Sequence, residues 1–250
     1  MGVIRLTIAY DGAPFAGWAT QPGLRTVQAE LEPVLERLFG EPVALTVAGR
    51  TDAGVHAWGQ VASFAIDGDA PHALVGRMNS MLPREIAVLD AEPALDGFDA
   101  RRDAKSRTYC YRLIAAEVRH PLERARALWW PYPIDSETLE RCAALLVGTH
   151  DFTAFTPTQT EHVRFERDVM HAEWRAHRLR EPFTGQLLEF WIEADAFMRH
   201  MVRVLIGTML DVAQGRRSIE DLEALLTGAP RERAADTAPP HGLYLASVRY

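Results

Sequence analysis

The chain has 250 residues, of which 48% are hydrophobic and 24% charged, and its formal net charge is −7. The hydrophobic fraction is typical of a globular protein, and the length allows one large domain or two smaller ones. No apolar run is as long as a membrane span, which argues against a membrane protein. Two cysteines are too few for a disulfide framework, so we expect a location in the reducing cytoplasm.

The negative net charge is unusual for a protein that binds nucleic acid. However, Lys105 is the only lysine, so nearly all positive charge is carried by arginine, which pairs with phosphate and stacks on bases. The arginines cluster at 101–112, 199–203 and 216–217, and the acidic residues concentrate elsewhere. This distribution is compatible with a basic cleft on an acidic body. A biased genome composition would explain the abundance of arginine equally well.

The first hundred residues alternate between strand and helix patterns. The patterns predict strands at 3–10, 43–48, 60–66 and 86–92 and helices at 27–39 and 73–81. The order strand, helix, strand, strand, helix, strand fits a split βαβ unit.

The rest of the chain continues this alternation. We expect strands at 106–115, 128–130, 168–177, 186–194 and 243–249 and helices at 136–146, 198–214 and 218–226. Strands that alternate with helices and also form hairpins predict an α+β fold with antiparallel sheets.

A polar segment interrupts the apolar pattern between the strands predicted at 43–48 and 60–66. Residues 49–57 read GRTDAGVHA, and Arg50 lies two residues before Asp52, where it can pair with the carboxylate and hold it ionised. This arrangement favours a catalytic Asp52, with Thr51 and His56 shaping the loop. The alternative is that Asp52 only forms a turn with its own backbone, as Asp residues in glycine-rich loops commonly do.

Sequence patterns for cofactors and metals are missing. The chain has no CxxC or HExxH pattern and no Walker or dinucleotide-binding glycine pattern. We therefore expect neither a metal ion nor a nucleotide cofactor.

The segment GRTDAGVHA resembles the active-site motif of the TruA family, the tRNA pseudouridine synthases that act on the anticodon arm. Further segments resemble motifs of the same family in the same order, so the resemblance spans nearly the whole chain. They are YDG and FAGW within 10–18, TVQ at 26–28, NSMLP at 79–83, FDARRDAKSRTYCY at 98–111, HDF at 150–152, FMRHMVR at 197–203 and TAPPHGLYL at 237–245.

The resemblance implies a fold, an assembly and a reaction. The fold is two α/β domains of ferredoxin-like (split βαβ) type with a long central antiparallel sheet and the active site in the cleft between them. Residues 1–103 then carry the catalytic Asp loop and residues 104–250 complete the RNA-binding cleft. The assembly is a homodimer, and the partner is tRNA. The reaction converts uridine to pseudouridine at tRNA positions 38, 39 and 40. This isomerisation needs no redox step and therefore no cofactor.

The resemblance also assigns site residues. Asp52 is the nucleophile and Arg50 keeps it ionised. The chain leaves open whether Asp52 attacks the sugar or the uracil ring, or assists elimination. Tyr109 stacks on the target base near the proton to be moved, and its alternative role is core packing. Arg203, inside an apolar helix, needs an anion, which is either Asp52 or an RNA phosphate.

The remaining assignments concern contacts with tRNA. Arg101, Lys105 and Arg107 are candidate phosphate contacts, with solvated surface charge as the alternative. His200 is a candidate tRNA contact, with packing as the alternative. The chain departs from the family at Arg199, where the family often has a histidine, so the role of that position is open.

Two other functions are compatible with parts of the sequence. A non-catalytic RNA-binding protein on the same fold is disfavoured by the intact Asp52, Arg50 and Tyr109. A hydrolase that uses Asp52 as its nucleophile would need a second acid–base pair near the motif, and the sequence shows none.

Overall fold

The structure is a computed structural model that describes residues 2–68, 70–160 and 163–250. The chain divides into two compact units. One comprises the chain up to Arg107 together with Tyr244–Tyr250, and the other is Thr108–Leu243. Strands and helices alternate and the strands pair mostly antiparallel, which confirms the predicted α+β class. The division into domains 1–103 and 104–250 and the ferredoxin-like type of each domain stay predictions.

The first unit is a sheet with two helices. Its strands are β1 (Gly2–Tyr10), β2 (Thr46–Val47), β3 (His56–Ile66), β4 (Ile86–Ala94) and most of β10 (Leu243–Arg249), and its helices are α1 (Val27–Phe39) and α2 (Leu74–Met81). Strand β1 lies between β3 and β4 and is antiparallel to both. Strand β3 pairs with β10 in parallel at its start and with β2 antiparallel near its end.

Helix α1 shows how the sequence sets an element of this unit. The Thr26 side chain accepts a hydrogen bond from the backbone N–H of Ala29, which caps the first turn, and Gly40 ends the helix in the left-handed conformation. Val27, Leu31 and Leu35 are fully buried, as their helical spacing predicts.

The second unit is built around a buried helix. Its strands are β5 (Ser106–Ala115, which begins in the first unit), β6 (Leu128–Trp130), β7 (Gly148–Asp151), β8 (Glu166–Arg178) and β9 (Gln186–Ala194), and its helices are α3 (Ser136–Leu145), α4 (Met201–Ala213) and α5 (Ile219–Leu225). Neighbouring strands follow the order β5–β9–β8–β7, and β6 pairs in parallel with β5. Nine of the 13 residues of α4 are buried, so this helix supplies much of the core.

Several predicted boundaries are wrong. The strand predicted at 43–48 contains only Thr46–Val47, and the strand predicted at 60–66 begins at His56, because β3 pairs with β10 at that end. The helix predicted to begin at residue 198 begins at Met201, because His200 adopts a left-handed backbone with φ of 62°. Strand β7 was not predicted, since its sequence GTHD lacks the apolar alternation of a half-buried strand.

Replacement of two helical glycines by alanine should change the stability in opposite directions. An added Cβ at Gly207 in α4 would lie 2.0 Å from the carbonyl oxygen of Asp236, whereas one at Gly76 in α2 would meet nothing within 4 Å. Gly207→Ala should therefore lower the free energy of unfolding by about 3 kcal/mol, because backbone has to move. Gly76→Ala should raise it by roughly 0.5–1 kcal/mol, because alanine loses less backbone entropy in a helix. Urea denaturation of both variants and the wild type measures these changes, and a Gly207→Ala variant as stable as the wild type would contradict the close contact.

Candidate active site

The loop that carries Asp52 is held through its backbone by residues 15–18. The N–H of Gly54 donates to the carbonyl oxygen of Phe15 at 3.2 Å, and the N–H of Trp18 donates to that of Thr51 at 3.0 Å. Within the loop, the N–H of Val55 donates to the carbonyl oxygen of Asp52 at 3.1 Å. The main chain on both sides of Asp52 is therefore fixed.

Two glycines permit this close approach. A Cβ at Gly12 would lie 1.9 Å from the carbonyl oxygen of Val55, and one at Gly17 would lie 2.8 Å from that of Thr51. Gly17 also has φ of 102°, which other residues rarely adopt. The glycines of the YDG and FAGW segments are thus required where their backbones lie against the loop.

Buried side chains hold the same loop from the core side. The hydroxyls of Tyr10 and Thr51 are hydrogen-bonded at 2.7 Å. The side-chain amide of Gln60 donates to the carbonyl oxygen of Gly49 at 2.7 Å and to the Tyr10 hydroxyl at 3.4 Å. Burial raises the pKa of Tyr10 to about 12, an effect that the hydrogen bonds with Thr51 and Gln60 partly oppose. The phenol therefore keeps its proton at neutral pH.

His56 closes the loop at its far end. Its Nδ1 accepts the backbone N–H of Gly12 at 3.0 Å and lies 3.2 Å from a carboxylate oxygen of Asp11. The ring stacks on Tyr244 with a centroid distance of 4.6 Å.

The loop leaves its two charged side chains accessible. Thr51 is buried, whereas its neighbours Arg50 and Asp52 are exposed and half-buried, respectively. This alternation buries Thr51 against the core and leaves Asp52 half-buried. The ion pair between Arg50 and Asp52 and the role of Asp52 as nucleophile stay predictions.

Arg107 is bound to the segment that precedes this loop. Its guanidinium donates to the carbonyl oxygens of Ala48, Arg101 and Ala104 at 2.8–3.1 Å. Ala48 directly precedes the loop, so Arg107 fixes one end of it. The side chains of Arg101 and Lys105 are exposed.

Two tyrosines of β5 are buried in the second unit. Tyr109 is 8% exposed, and its ring lies edge-on to Phe197 with a centroid distance of 4.9 Å. Tyr111 is fully buried and donates its hydroxyl to the carbonyl oxygen of Pro239 at 3.0 Å. Burial raises the pKa of Tyr111. The stacking role of Tyr109 stays a prediction.

Arg203 of α4 forms a reciprocal clamp with the TAP segment. Its Nε donates to the carbonyl oxygen of Ala238 at 2.7 Å, and its own carbonyl oxygen accepts the N–H of Ala238 at 3.1 Å. His200 is half-buried and precedes the helix in a left-handed conformation. Arg199 is exposed, and its carbonyl oxygen accepts the Thr156 hydroxyl at 3.2 Å. The clamp ties the guanidinium of Arg203 to the backbone of Ala238.

Comparison with known proteins decides the family. A family model described as tRNA pseudouridine synthase matches residues 142–250. The chain is 44% identical over 250 residues to a tRNA pseudouridine synthase A of Frankia casuarinae. This alignment covers 99% of this chain and 89% of the relative. It is 39% identical over 249 residues to the enzyme of that name from a Geobacillus species, with 99% of this chain and 98% of the relative covered. It is 38% identical over 252 residues to the one from Myxococcus xanthus, with 99% of this chain and 91% of the relative covered.

The chain belongs to the TruA family of tRNA pseudouridine synthases. This finding confirms the resemblance carried by the GRTDAGVHA loop, and it confirms the predicted class of enzyme, an isomerase.

Across 2–68, 70–160 and 163–250, no three His, Cys, Asp or Glu side chains are grouped so that they could hold a metal ion. Over the same residues, no helix has both the length and the apolar character needed to cross a bilayer.

Sequence reasoning about this pseudouridine synthase missed the side chains beneath the loop. The sequence identifies Tyr10 only as part of the YDG motif and Gln60 only as the first residue of the strand predicted at 60–66. The signal available in the sequence is a polar side chain, Gln60, within an apolar strand. The structure shows that this side chain is fully buried. A buried amide needs hydrogen-bond partners, and the nearest polar segment in the chain is the Asp52 loop.

The bracing role of Arg107 predicts a difference between two arginines. Arg107→Ala should lower the free energy of unfolding by about 2–4 kcal/mol, because it removes hydrogen bonds from three carbonyl oxygens, of which those of Ala48 and Ala104 are in partly buried contacts. Arg101→Ala should change it by no more than about 0.5 kcal/mol, because that side chain is exposed. Denaturant unfolding of the two variants tests this, and equal stabilities would contradict the brace.

Proposed function

We propose that this pseudouridine synthase converts uridine to pseudouridine at positions 38, 39 and 40 of the tRNA anticodon stem-loop. The observation that carries the proposal is the accessible carboxylate of Asp52 on a loop fixed from both sides. The full-length identity to proteins named tRNA pseudouridine synthase A supports tRNA as the substrate.

The reaction explains why a fixed carboxylate is useful. The bond between C1′ and N1 of the uridine breaks, the base turns, and a new bond forms from C1′ to C5. C5 loses its proton and N1 gains one, so that the product is an isomer of the substrate. Asp52 acts as the nucleophile in the bond-breaking stage, on the sugar or on the ring, or assists elimination. A reactive group held in position lowers the barrier because it loses little freedom on reaching the transition state.

The other site residues assist this step. Arg50, adjacent to the anchored Thr51, keeps Asp52 ionised. Tyr109 stacks on the target base near the C5 proton, and its edge-on contact with Phe197 supports a fixed ring position. Arg203 pairs with Asp52 or with an RNA phosphate, and its clamp to Ala238 supports a fixed guanidinium.

The substrate is held by contacts outside the loop. The exposed Arg101 and Lys105 are proposed phosphate contacts, together with Arg107, whose guanidinium also donates to backbone carbonyl oxygens. His200 is a proposed tRNA contact. The target uridine is flipped out of the stem-loop to reach Asp52. We also propose that the enzyme is located in the cytoplasm. It acts as a homodimer, because a tRNA is long compared with a chain of 28.0 kDa.

Replacement of the nucleophile tests the function directly. Asp52→Asn should reduce pseudouridine formation in unmodified tRNA at least about a thousandfold and leave the tRNA dissociation constant within about threefold, since the lost carboxylate acts on the chemical step and not on binding. Pseudouridine mapping and filter binding give the two values. A wild-type protein that binds tRNA without forming pseudouridine would favour the non-catalytic alternative, and an active Asp52→Asn variant would rule out the nucleophile.

Two substitutions at Tyr109 separate stacking from proton transfer. Tyr109→Phe keeps the ring and should lower the rate of pseudouridine formation by about 10²–10⁴-fold if the hydroxyl takes part in proton transfer. Tyr109→Leu also removes the ring and should weaken tRNA binding by roughly tenfold through lost stacking. Single-turnover rates and binding titrations measure both effects, and a Phe variant with the wild-type rate would leave Tyr109 a stacking role only.

A further inference from the structure

Two residues of the Asp52 loop and two residues beneath it form a continuous hydrogen-bonded set, here called the loop anchor: Gly49 and Thr51, and Tyr10 and Gln60. Tyr10 is at the end of β1 and Gln60 is within β3, whereas Gly49 and Thr51 belong to the loop between β2 and β3. The bonds join residues 41, 50 and 11 positions apart. Tyr10, Thr51 and Gln60 are 4%, 7% and 0% exposed. The loop anchor is therefore shielded from water.

The orientation of the Gln60 amide in the loop anchor is fixed by its chemistry. The Gly49 carbonyl oxygen can only accept, so the Gln60 amide must present its NH₂ group to it, and the amide oxygen accepts the backbone N–H of Val61 at 3.1 Å. The same NH₂ group also donates to the Tyr10 oxygen at 3.4 Å. The hydroxyls of Tyr10 and Thr51 share a hydrogen bond in which either one can donate.

The loop anchor holds Gly49 and Thr51, the two residues that flank Arg50. Thr51 also directly precedes Asp52. Gly49 is held through its carbonyl group, and Thr51 is held through both its hydroxyl and, from Trp18, its carbonyl group. A rotation of the backbone at Thr51 would carry the side chains of Arg50 and Asp52 with it. A displacement of about 1 Å at a reacting group can lower a rate by 10²-fold.

We propose that Tyr10 and Gln60 are positioning residues for pseudouridine formation, which act through Thr51 and Gly49 on the orientation of Asp52 and Arg50. This inference rests on the proposed function of Asp52. It assigns no contact between Tyr10 or Gln60 and the RNA, so the loop anchor should affect the rate of the chemical step and not the binding of tRNA.

The experiment uses tRNA labelled with tritium at C5 of uridine, whose release reports pseudouridine formation under single-turnover conditions with excess enzyme. Tyr10→Phe, Gln60→Met and Thr51→Val each remove hydrogen bonds of the loop anchor with little change in volume. Each should lower the single-turnover rate about tenfold or more, with the tRNA dissociation constant within twofold of the wild type. Thr51→Ser restores the hydroxyl and should stay within about threefold of the wild-type rate.

A double variant tests whether Tyr10 acts through Thr51. If it does, Tyr10→Phe combined with Thr51→Val should be no slower than the slower of the two single variants, because both remove the same bond. Rate losses that multiply in the double variant would overturn the inference. So would a wild-type rate in Tyr10→Phe or Gln60→Met, or a weakened tRNA affinity that accounts for the whole loss.

Two controls separate positioning from other causes. Tyr250→Phe removes a matched hydrogen bond, from the tyrosine hydroxyl to the Ala100 carbonyl oxygen at 2.8 Å, in the same unit but outside the loop anchor. It should keep at least half the wild-type rate, and a loss equal to that of Tyr10→Phe would mean general destabilisation and overturn the inference. The wild type and Asp52→Asn run in parallel: an inactive wild type refutes the proposed function, whereas an active wild type with an equally active Tyr10→Phe refutes only the positioning role.

Discussion

The contact on which the candidate site depends is the close approach of two backbones, residues 12–17 and the Asp52 loop. Gly12 and Gly17 have no side chain, and a Cβ at either position would collide with a loop carbonyl oxygen. Their absence of side chains lets the N–H of Trp18 and the carbonyl oxygen of Phe15 bond to the loop directly. This contact fixes the carbonyl group of Thr51 and the N–H of Gly54, the backbone groups on either side of Asp52 and Ala53.

The second unit uses the same device around helix α4. Gly207 lets the carbonyl oxygen of Asp236 lie against the helix, and Arg203 and Ala238 exchange two hydrogen bonds close by along the chain. Gly242 then lies against the ring of Tyr111. Small residues and backbone carbonyl groups thus fix the segment that follows α5, and they provide hydrogen-bond acceptors for the Arg203 side chain on a largely apolar helix.

Several motif residues of the family form hydrogen bonds that stabilise the fold. Asn79 bonds through both atoms of its amide to the backbone of Val88 at 2.8 Å. Asp99 accepts the backbone N–H groups two and three residues later, and Asp151 accepts both the N–H and the hydroxyl of Thr153. A motif residue is therefore not evidence of catalysis until its hydrogen-bond partners are known.

The sequence by itself determined the family, the α+β class and most elements, because periodicity, caps and contiguous motifs are local properties. Strands 106–115, 128–130, 186–194 and 243–249 have the predicted bounds, and the Asp52 loop was located from its residues alone.

Only the tertiary structure decided what holds that loop. The pairing of β1 with β3 shifts register between Ile8, opposite Gln60, and Tyr10, opposite Ala57, and this irregularity lies where Tyr10 and Gln60 meet beneath Thr51. No local pattern encodes a register shift between distant strands, since it depends on which backbones pair. The partners of Arg107 were hidden for the same reason: an arginine in a basic cluster is typical of phosphate binding, and only the folded chain places carbonyl oxygens around it.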